Sequence, residues 1–187
     1  MDYDYRNRKT VIAIATELAP GIAGNVIGHL ALAVGHRIAA NDMGKHPLVD
    51  ATGVEHSGIS RYPVIVVTAK SARLRKLISE AREVGGLLLA DYPEQMLSTG
   101  HDDELSTAIA GTPEGSFRYL GVALHGDTKQ LQPLTGKFSL WGNSTTNSTT
   151  SPNVKESGCD MSPSPKIRFP NGFYFQPKLW GLYEGMT

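Results

Sequence analysis

The stretch Thr10–Ala15, which reads TVIAIA, decides the fold class because its continuous apolar character predicts a strand buried on both faces of a sheet. Pro20 and Gly21 break the chain soon after it. Apolar residues then recur at helical spacing over Ile22–Ile38, which predicts a first helix. The chain therefore opens with a strand that feeds a helix through a tight turn, the repeating unit of an α/β fold.

The same alternation of strand and helix continues along the chain. Further strands are predicted at Val64–Val67, Leu87–Ala90 and Phe117–Leu124, with an edge segment at Phe138–Trp141. Ser71 is predicted to cap a second helix that Gly85 and Gly86 end, and Ser98 or Thr99 to cap a third that Gly111 ends. Residues 127–134 predict a short turn or helix. Helices are therefore expected on both faces of the sheet.

The C-terminal quarter differs in character from the rest of the chain. Residues 143–151 read NSTTNSTTS and contain no core-forming side chain. Such a composition cannot offset the entropy lost on ordering. We therefore predict an N-terminal extension over 1–8, one folded domain over 9–141, and a poorly ordered Ser/Thr-rich linker with an aromatic tail over 142–187.

Composition excludes several classes of protein. Eighteen basic residues balance eighteen acidic ones, so strong binding to nucleic acid is not expected. The single cysteine, Cys159, allows neither an internal disulfide nor a zinc cluster of cysteines, and no metal or cofactor is expected. The polar start and the short apolar runs predict neither a secretory signal nor a membrane span, so a cytoplasmic location is expected. A homodimer is left open.

Several strings in sequence order resemble a known family, the domain-of-unknown-function family numbered two thousand. The strings are KTVIAI (9–14), LAPG (18–21), NVIGHLA (25–31), ADYPEQM (90–96), STGH (98–101), YLGVALHG (119–126) and LTGKFSL (134–140). They cover roughly residues 9–141. That family is similar to the type II peptidyl-tRNA hydrolases, so the resemblance implies a three-layer α/β/α sandwich around a mixed four-stranded sheet.

The resemblance also bears on chemistry. Those hydrolases place a Gly- and Lys-rich loop between the first strand and the first helix, and an Asp after a later strand. The matching loop here, residues 20–24, has no lysine, whereas Asp91 stands at a position comparable to the Asp. The resemblance therefore implies the fold without guaranteeing the reaction.

Candidate catalytic residues are His29 and Asp91. His29 lies four residues after Asn25, which places both on one face of the first helix. There His29 could act as a general base and Asn25 could position a substrate, or both could be polar residues of an exposed face. Asp91 follows a predicted strand at its carboxyl end, where α/β sheets bind ligands, or it is a turn residue before Pro93.

Candidate substrate-binding residues flank this pair. Gly21 and Gly24 could open the start of the first helix to an anion, or let the helix sit close to the sheet. Thr99 and His101 stand near the start of the third helix, where His101 could complete a polar site or be a turn residue.

The long segment 41–60 is rich in Gly, His and Asp and is predicted to be a loop. It carries Asp42, His46, Asp50 and His56. These side chains could bind a metal, but they show no known ligand spacing, so a solvated loop is the favoured interpretation.

Two functions follow from these residues. One is hydrolysis of an ester or amide bond, with His29 and Asp91 as acid and base and Asn25 as a positioning group. The other is a non-catalytic ligand-binding or regulatory module on the same fold. The expected partner is a small molecule or an aminoacyl- or peptidyl-type ligand.

Overall fold

A computed structural model describes residues 4–142 of the chain. The strands are β1 (Arg8–Ala15), β2 (Leu48–Val49), β3 (Glu55–His56), β4 (Val64–Ala69), β5 (Leu88–Pro93), β6 (Tyr119–Asp127) and β7 (Ser139–Leu140). The helices are α1 (Pro20–Arg37), α2 (Ser71–Glu83), α3 (Gln95–Ser98), α4 (Asp102–Ala110) and α5 (Thr128–Thr135), with 3₁₀ turns at Ala40–Asp42 and Glu114–Ser116. Within these residues, no helix is long and apolar enough to cross a membrane.

The main sheet is mixed and has five strands in the order β5-β6-β1-β4-β7. The central strand β1 pairs parallel with β4 and antiparallel with β6. The predicted α/β fold with a mixed sheet is confirmed. The predicted count of four strands is wrong, because the short strand β7 pairs antiparallel with β4 and adds a fifth.

Helices cover both faces of this sheet, as the alternation of elements predicted. On one face, Ile12 and Ile14 of β1 pack in a buried cluster with Val26 and Leu30 of α1. On the other face, a second cluster joins β1 to α2 and α5 through buried side chains that include Val11, Ala13, Leu74, Leu77, Ile78 and Leu131. Gly121 of β6 lets α1 approach closely, because an added Cβ would lie 2.7 Å from Cγ1 of Val26.

Two predicted helix caps are wrong. Lys70 caps α2, and the hydroxyl of Ser71 instead donates a 2.5 Å hydrogen bond to Oε1 of Glu17. His101 caps α4. The hydroxyls of both predicted caps, Ser98 and Thr99, donate to the carbonyl oxygen of Gln95 one turn earlier and so close α3. The predicted end of α4 at Gly111 is confirmed.

The segment 41–60 is more ordered than its composition predicted. It contains the short antiparallel hairpin β2–β3, in which Leu48 pairs with His56. The turn is organised by Asp50, whose Oδ1 accepts hydrogen bonds from the backbone N–H and hydroxyl of Thr52 and from the backbone N–H of Val54. Gly53 supplies the positive φ of 89° that the turn needs.

The Asp50 turn predicts a pH dependence of the hairpin. The Thr52 hydroxyl, followed by the backbone N–H groups of Val54 and Thr52, holds the pKa of Asp50 at about 2. The folded pKa lies below the ordinary value of about 4, so above about pH 4 the charged carboxylate stabilises the turn. This stabilisation is lost as the pH falls toward 2 and the carboxylate is protonated. Amide NMR shifts of Thr52 and Val54, followed through an acid titration, should therefore show a midpoint near 2.

A variant isolates the carboxylate in that titration. Asp50→Asn keeps an acceptor oxygen and removes the ionisable group, so the acid midpoint should vanish from both amide signals. A midpoint of about 4 in the unaltered protein, the value of a free aspartate, would contradict the prediction.

Candidate functional site

Asn25 and His29 lie together on the exposed side of α1, as their spacing predicted. Both contact Tyr92 of the edge strand β5, whose ring is buried beneath them. The Tyr92 hydroxyl donates a 3.0 Å hydrogen bond to Oδ1 of Asn25. The His29 and Tyr92 rings lie 5.9 Å apart between centroids and are tilted by 55°. Burial raises the pKa of Tyr92, so the phenol stays protonated and remains a donor near neutral pH.

Asp91 does not join this group. Successive residues of a strand point to opposite faces, and Tyr92 points to the face that α1 covers. The Asp91 carboxylate lies on the other face, where its Oδ2 is 3.2 Å from Nη2 of Arg82 in α2. His29 and Asp91 are thus separated by the sheet, and the expectation that they meet in one acid–base site is corrected.

Close packing against the sheet does not explain the glycines of α1. An added Cβ at Gly21, Gly24 or Gly28 would meet no atom within 4 Å, because all three face outward. The interpretation that small residues let α1 sit close to the sheet is therefore wrong. Anion binding by Gly21 and Gly24 stays a prediction.

Thr99 lies at the end of α3 and His101 at the start of α4. Thr99 is half-buried, and its hydroxyl is engaged with the Gln95 carbonyl oxygen. His101 is exposed, caps α4 through its backbone, and makes no side-chain cap hydrogen bond. Their assignment as substrate-binding residues stays a prediction.

A buried polar cluster that the sequence analysis missed lies near the start of β1. His125 of β6 is 1% exposed, although it is an ionisable side chain. Its Nδ1 lies 2.9 Å from Oγ1 of Thr10, its cross-strand partner, and its Nε2 lies 3.2 Å from Oδ2 of Asp42. The guanidinium of Arg8 completes the cluster, with Nη2 3.4 Å from the same Asp42 oxygen.

The contact with Asp42 gives Nε2 of His125 the role of a donor. A carboxylate can only accept, so Nε2 of His125 carries the proton that it donates to Asp42. Nδ1 lies within hydrogen-bond distance of the Thr10 hydroxyl, which can either donate or accept. An Nε2–H group cannot also accept from Arg8, so the partner of the Arg8 Nη2 group is Asp42 rather than the ring, although both lie at 3.4 Å.

The four polar residues of the 41–60 segment do not converge. Asp42 belongs to the His125 cluster, whereas His56 contacts Asp50 in the hairpin at 3.3 Å. Nδ1 of His46 lies 3.4 Å from the backbone nitrogen of Gly58. Across residues 4–142, no group of three or more His, Cys, Asp or Glu side chains is placed to hold a metal ion.

A second polar network lies where the parallel strands β1 and β4 end. Oε1 of Glu17 accepts from Ser71 and lies 3.3 Å from Nη2 of Arg118. Nη1 of Arg118 lies 2.6 Å from Oε1 of Glu94. The Ser71 hydrogen bond is the main cause that lowers the pKa of Glu17. The charges of Glu17, Arg118 and Glu94 pair with one another. The network therefore connects the end of β1 to α2 and to the end of β5.

Comparison with known proteins agrees with this architecture. Residues 8–142 match the family described as Protein of unknown function (DUF2000). The chain belongs to this family. Among solved structures, a protein of unknown function from Agrobacterium tumefaciens strain C58 is similar in fold, with a TM-score of 0.64 and 23% sequence identity. The similarity covers 72% of this chain and 97% of that one. No curated protein matches this member of the family.

Proposed function

We propose that this member of the family is a small-ligand-binding module on a fold of the type II peptidyl-tRNA hydrolase kind, and that its ligand contacts Asn25 and His29. The observation that carries the proposal is the hydrogen bond from the buried Tyr92 hydroxyl to Oδ1 of Asn25. It fixes the orientation of an exposed amide beside an exposed imidazole.

The fixed orientation leaves hydrogen-bonding groups for a ligand. The hydrogen bond from Tyr92 occupies only the amide oxygen of Asn25. Within residues 4–142 the amide nitrogen has no hydrogen-bond partner, so its N–H groups remain as donors. The neighbouring His29 imidazole offers one donor and one acceptor when neutral. A carboxamide presents the complementary acceptor and donor, so an aminoacyl- or peptidyl-type ligand suits this pair.

Binding is favoured over hydrolysis by the placement of Asp91. An acid–base mechanism through His29 and Asp91 needs both groups within hydrogen-bond reach of one substrate. Here Asp91 is paired with Arg82 on the far face of the sheet. His29 has no carboxylate partner among the described residues, so no carboxylate orients or activates its ring as a base.

Binding of an N-acetylated amino acid amide tests the proposal. We expect saturable NMR shifts at Asn25, His29 and Tyr92, with affinity reduced about fivefold by Asn25→Ala or His29→Ala, as expected for loss of one neutral hydrogen bond. His36→Ala is the matched control, because His36 is also an exposed histidine of α1 and should leave the affinity unchanged. Equal weakening in all three variants would contradict the proposal.

Hydrolysis is tested by adding a peptidyl-tRNA to the same purified protein and measuring the release of tRNA. The expected result is no release of tRNA above the uncatalysed background. Release by the unaltered protein that disappears in both His29→Ala and Asp91→Asn would overturn the binding proposal and favour hydrolysis.

A further inference from the structure

A pocket of about 310 Å³ lies beside the His125 cluster, at the end of α1 opposite to the one that carries Asn25. Arg8, Asp42 and His125 line it together with Arg37 from the last turn of α1. Leu87 and Leu88 add an apolar wall. From Asn25 to Arg37 the helix rises about 18 Å, so this pocket is separate from the proposed ligand site.

The Arg8 guanidinium has an unused donor in this region. Its Nη2 group contacts Asp42, but its Nε atom is buried and has no hydrogen-bond partner within residues 4–142. Gln95 Oε1 is the other buried side-chain atom in that part of the chain without a partner. A buried N–H that lacks an acceptor is costly, so such a group points to a missing partner.

The size of the pocket indicates what could occupy it. A single water occupies about 30 Å³ in the liquid, far less than the space available here. A volume of about 310 Å³ lies instead at the lower end of the range for small-molecule sites. The apolar contribution of Leu87 and Leu88 suits the carbon skeleton of a small organic molecule better than a water cluster.

The charges of the pocket select an anion. Two arginines, Arg8 and Arg37, line the pocket against one aspartate, Asp42. Nη1 of Arg37 also donates a 2.8 Å hydrogen bond to the carbonyl oxygen of Leu89, which holds its side chain against β5. Arginine binds oxyanions through adjacent N–H groups of its planar fork, and the Arg8 side chain remains 42% exposed beside its contact with Asp42.

We infer that this pocket binds a small molecule through an oxyanion, a carboxylate or a phosphate, which pairs with the partly exposed guanidinium of Arg8 and is attracted by Arg37. Asp42 contacts the Arg8 guanidinium and is itself held by its hydrogen bond from His125. The inference does not depend on the proposed function, because the two sites share no residue.

Titration with two simple anions tests this site. Inorganic phosphate and acetate are added separately to the full chain at constant ionic strength, and amide NMR shifts of Arg8, Gly86 and Leu88 are followed. We expect saturable shifts with at least one anion, and which anion saturates identifies the source of the oxyanion. Loss of a charge-assisted hydrogen bond in Arg8→Gln should weaken that affinity about tenfold or more.

Arg82→Gln is the matched control. Its side chain is 46% exposed against 42% for Arg8, and it pairs with Asp91 and Glu114 as Arg8 pairs with Asp42. This control should bind the anion as the unaltered protein does. Arg37 is exposed at the end of α1, so Arg37→Gln provides a second test if Arg8→Gln fails to fold. We expect this variant to weaken the affinity for the anion several fold.

Two results would overturn the inference. One is the absence of saturable shifts with either anion. The other is equal weakening by Arg82→Gln and by the pocket variants, which would show a general charge effect rather than a site.

Discussion

Replacing Leu30 with alanine is expected to lower the free energy of unfolding by about 3 kcal/mol. Leu30 is 2% exposed and packs in the cluster that joins α1 to the sheet. Truncation to alanine removes the transfer free energy of its methyl and methylene groups and leaves a cavity in the cluster that also contains Ile12 and Val34. Urea denaturation followed by circular dichroism measures the loss.

The same helix offers a matched control for Leu30. Leu32 is 73% exposed, and Leu32→Ala should change stability by no more than about 0.5 kcal/mol. Similar losses in the two variants would contradict the assignment of the buried face of α1. Because α1 carries Asn25 and His29, Leu30→Ala should also weaken binding at the proposed ligand site, whereas Leu32→Ala should not.

Asp42→Ala is expected to lower the free energy of unfolding by about 2 kcal/mol. The Asp42 side chain is 8% exposed and accepts from His125, which is 1% exposed, so its removal leaves a buried ring N–H without its partner. The ion pair with Arg8 adds little to this figure, because the Arg8 side chain is 42% exposed and its charge is screened by water.

Two variants separate the parts of the Asp42 effect. Asp42→Asn retains an acceptor oxygen for His125 and should cost less than Asp42→Ala in the same denaturation experiment. Asp103→Ala removes an exposed aspartate from the first turn of α4 and should cost only about 0.5 kcal/mol. A loss for Asp42→Ala no larger than that for Asp103→Ala would contradict the buried network.

Most of the fold was predictable because the buried strands are apolar runs with few competing interpretations. The strand at Thr10–Ala15 was predicted from its apolar run, and the second helix from the helical spacing of its apolar residues together with Gly85 and Gly86 at its end. The hairpin β2–β3 was missed because each strand is two residues long, exposed, and held by the Asp50 turn rather than by a core. Local pattern carries no signal for so short an element.

The candidate site was less predictable because it depends on register and on distant partners. The spacing of Asn25 and His29 placed both on one side of α1, but only the pairing of β5 shows that Tyr92, and not Asp91, meets them. His125 sits within a strand-like run, and its partners Thr10 and Asp42 are 115 and 83 residues away. The predicted tail over 142–187 lies outside the described residues.

The strand order has a consequence for synthesis on the ribosome. Within residues 4–142, β5 reaches the rest of the main sheet only through β6, and β6 also covers one edge of β1. A nascent chain that ends before Tyr119 can pair β1 with β4. In that chain β5 has no strand to pair with, and one edge of the apolar strand β1 stays unpaired. Such an unpaired edge is prone to association, so the interval before β6 emerges is when this chain most needs a chaperone.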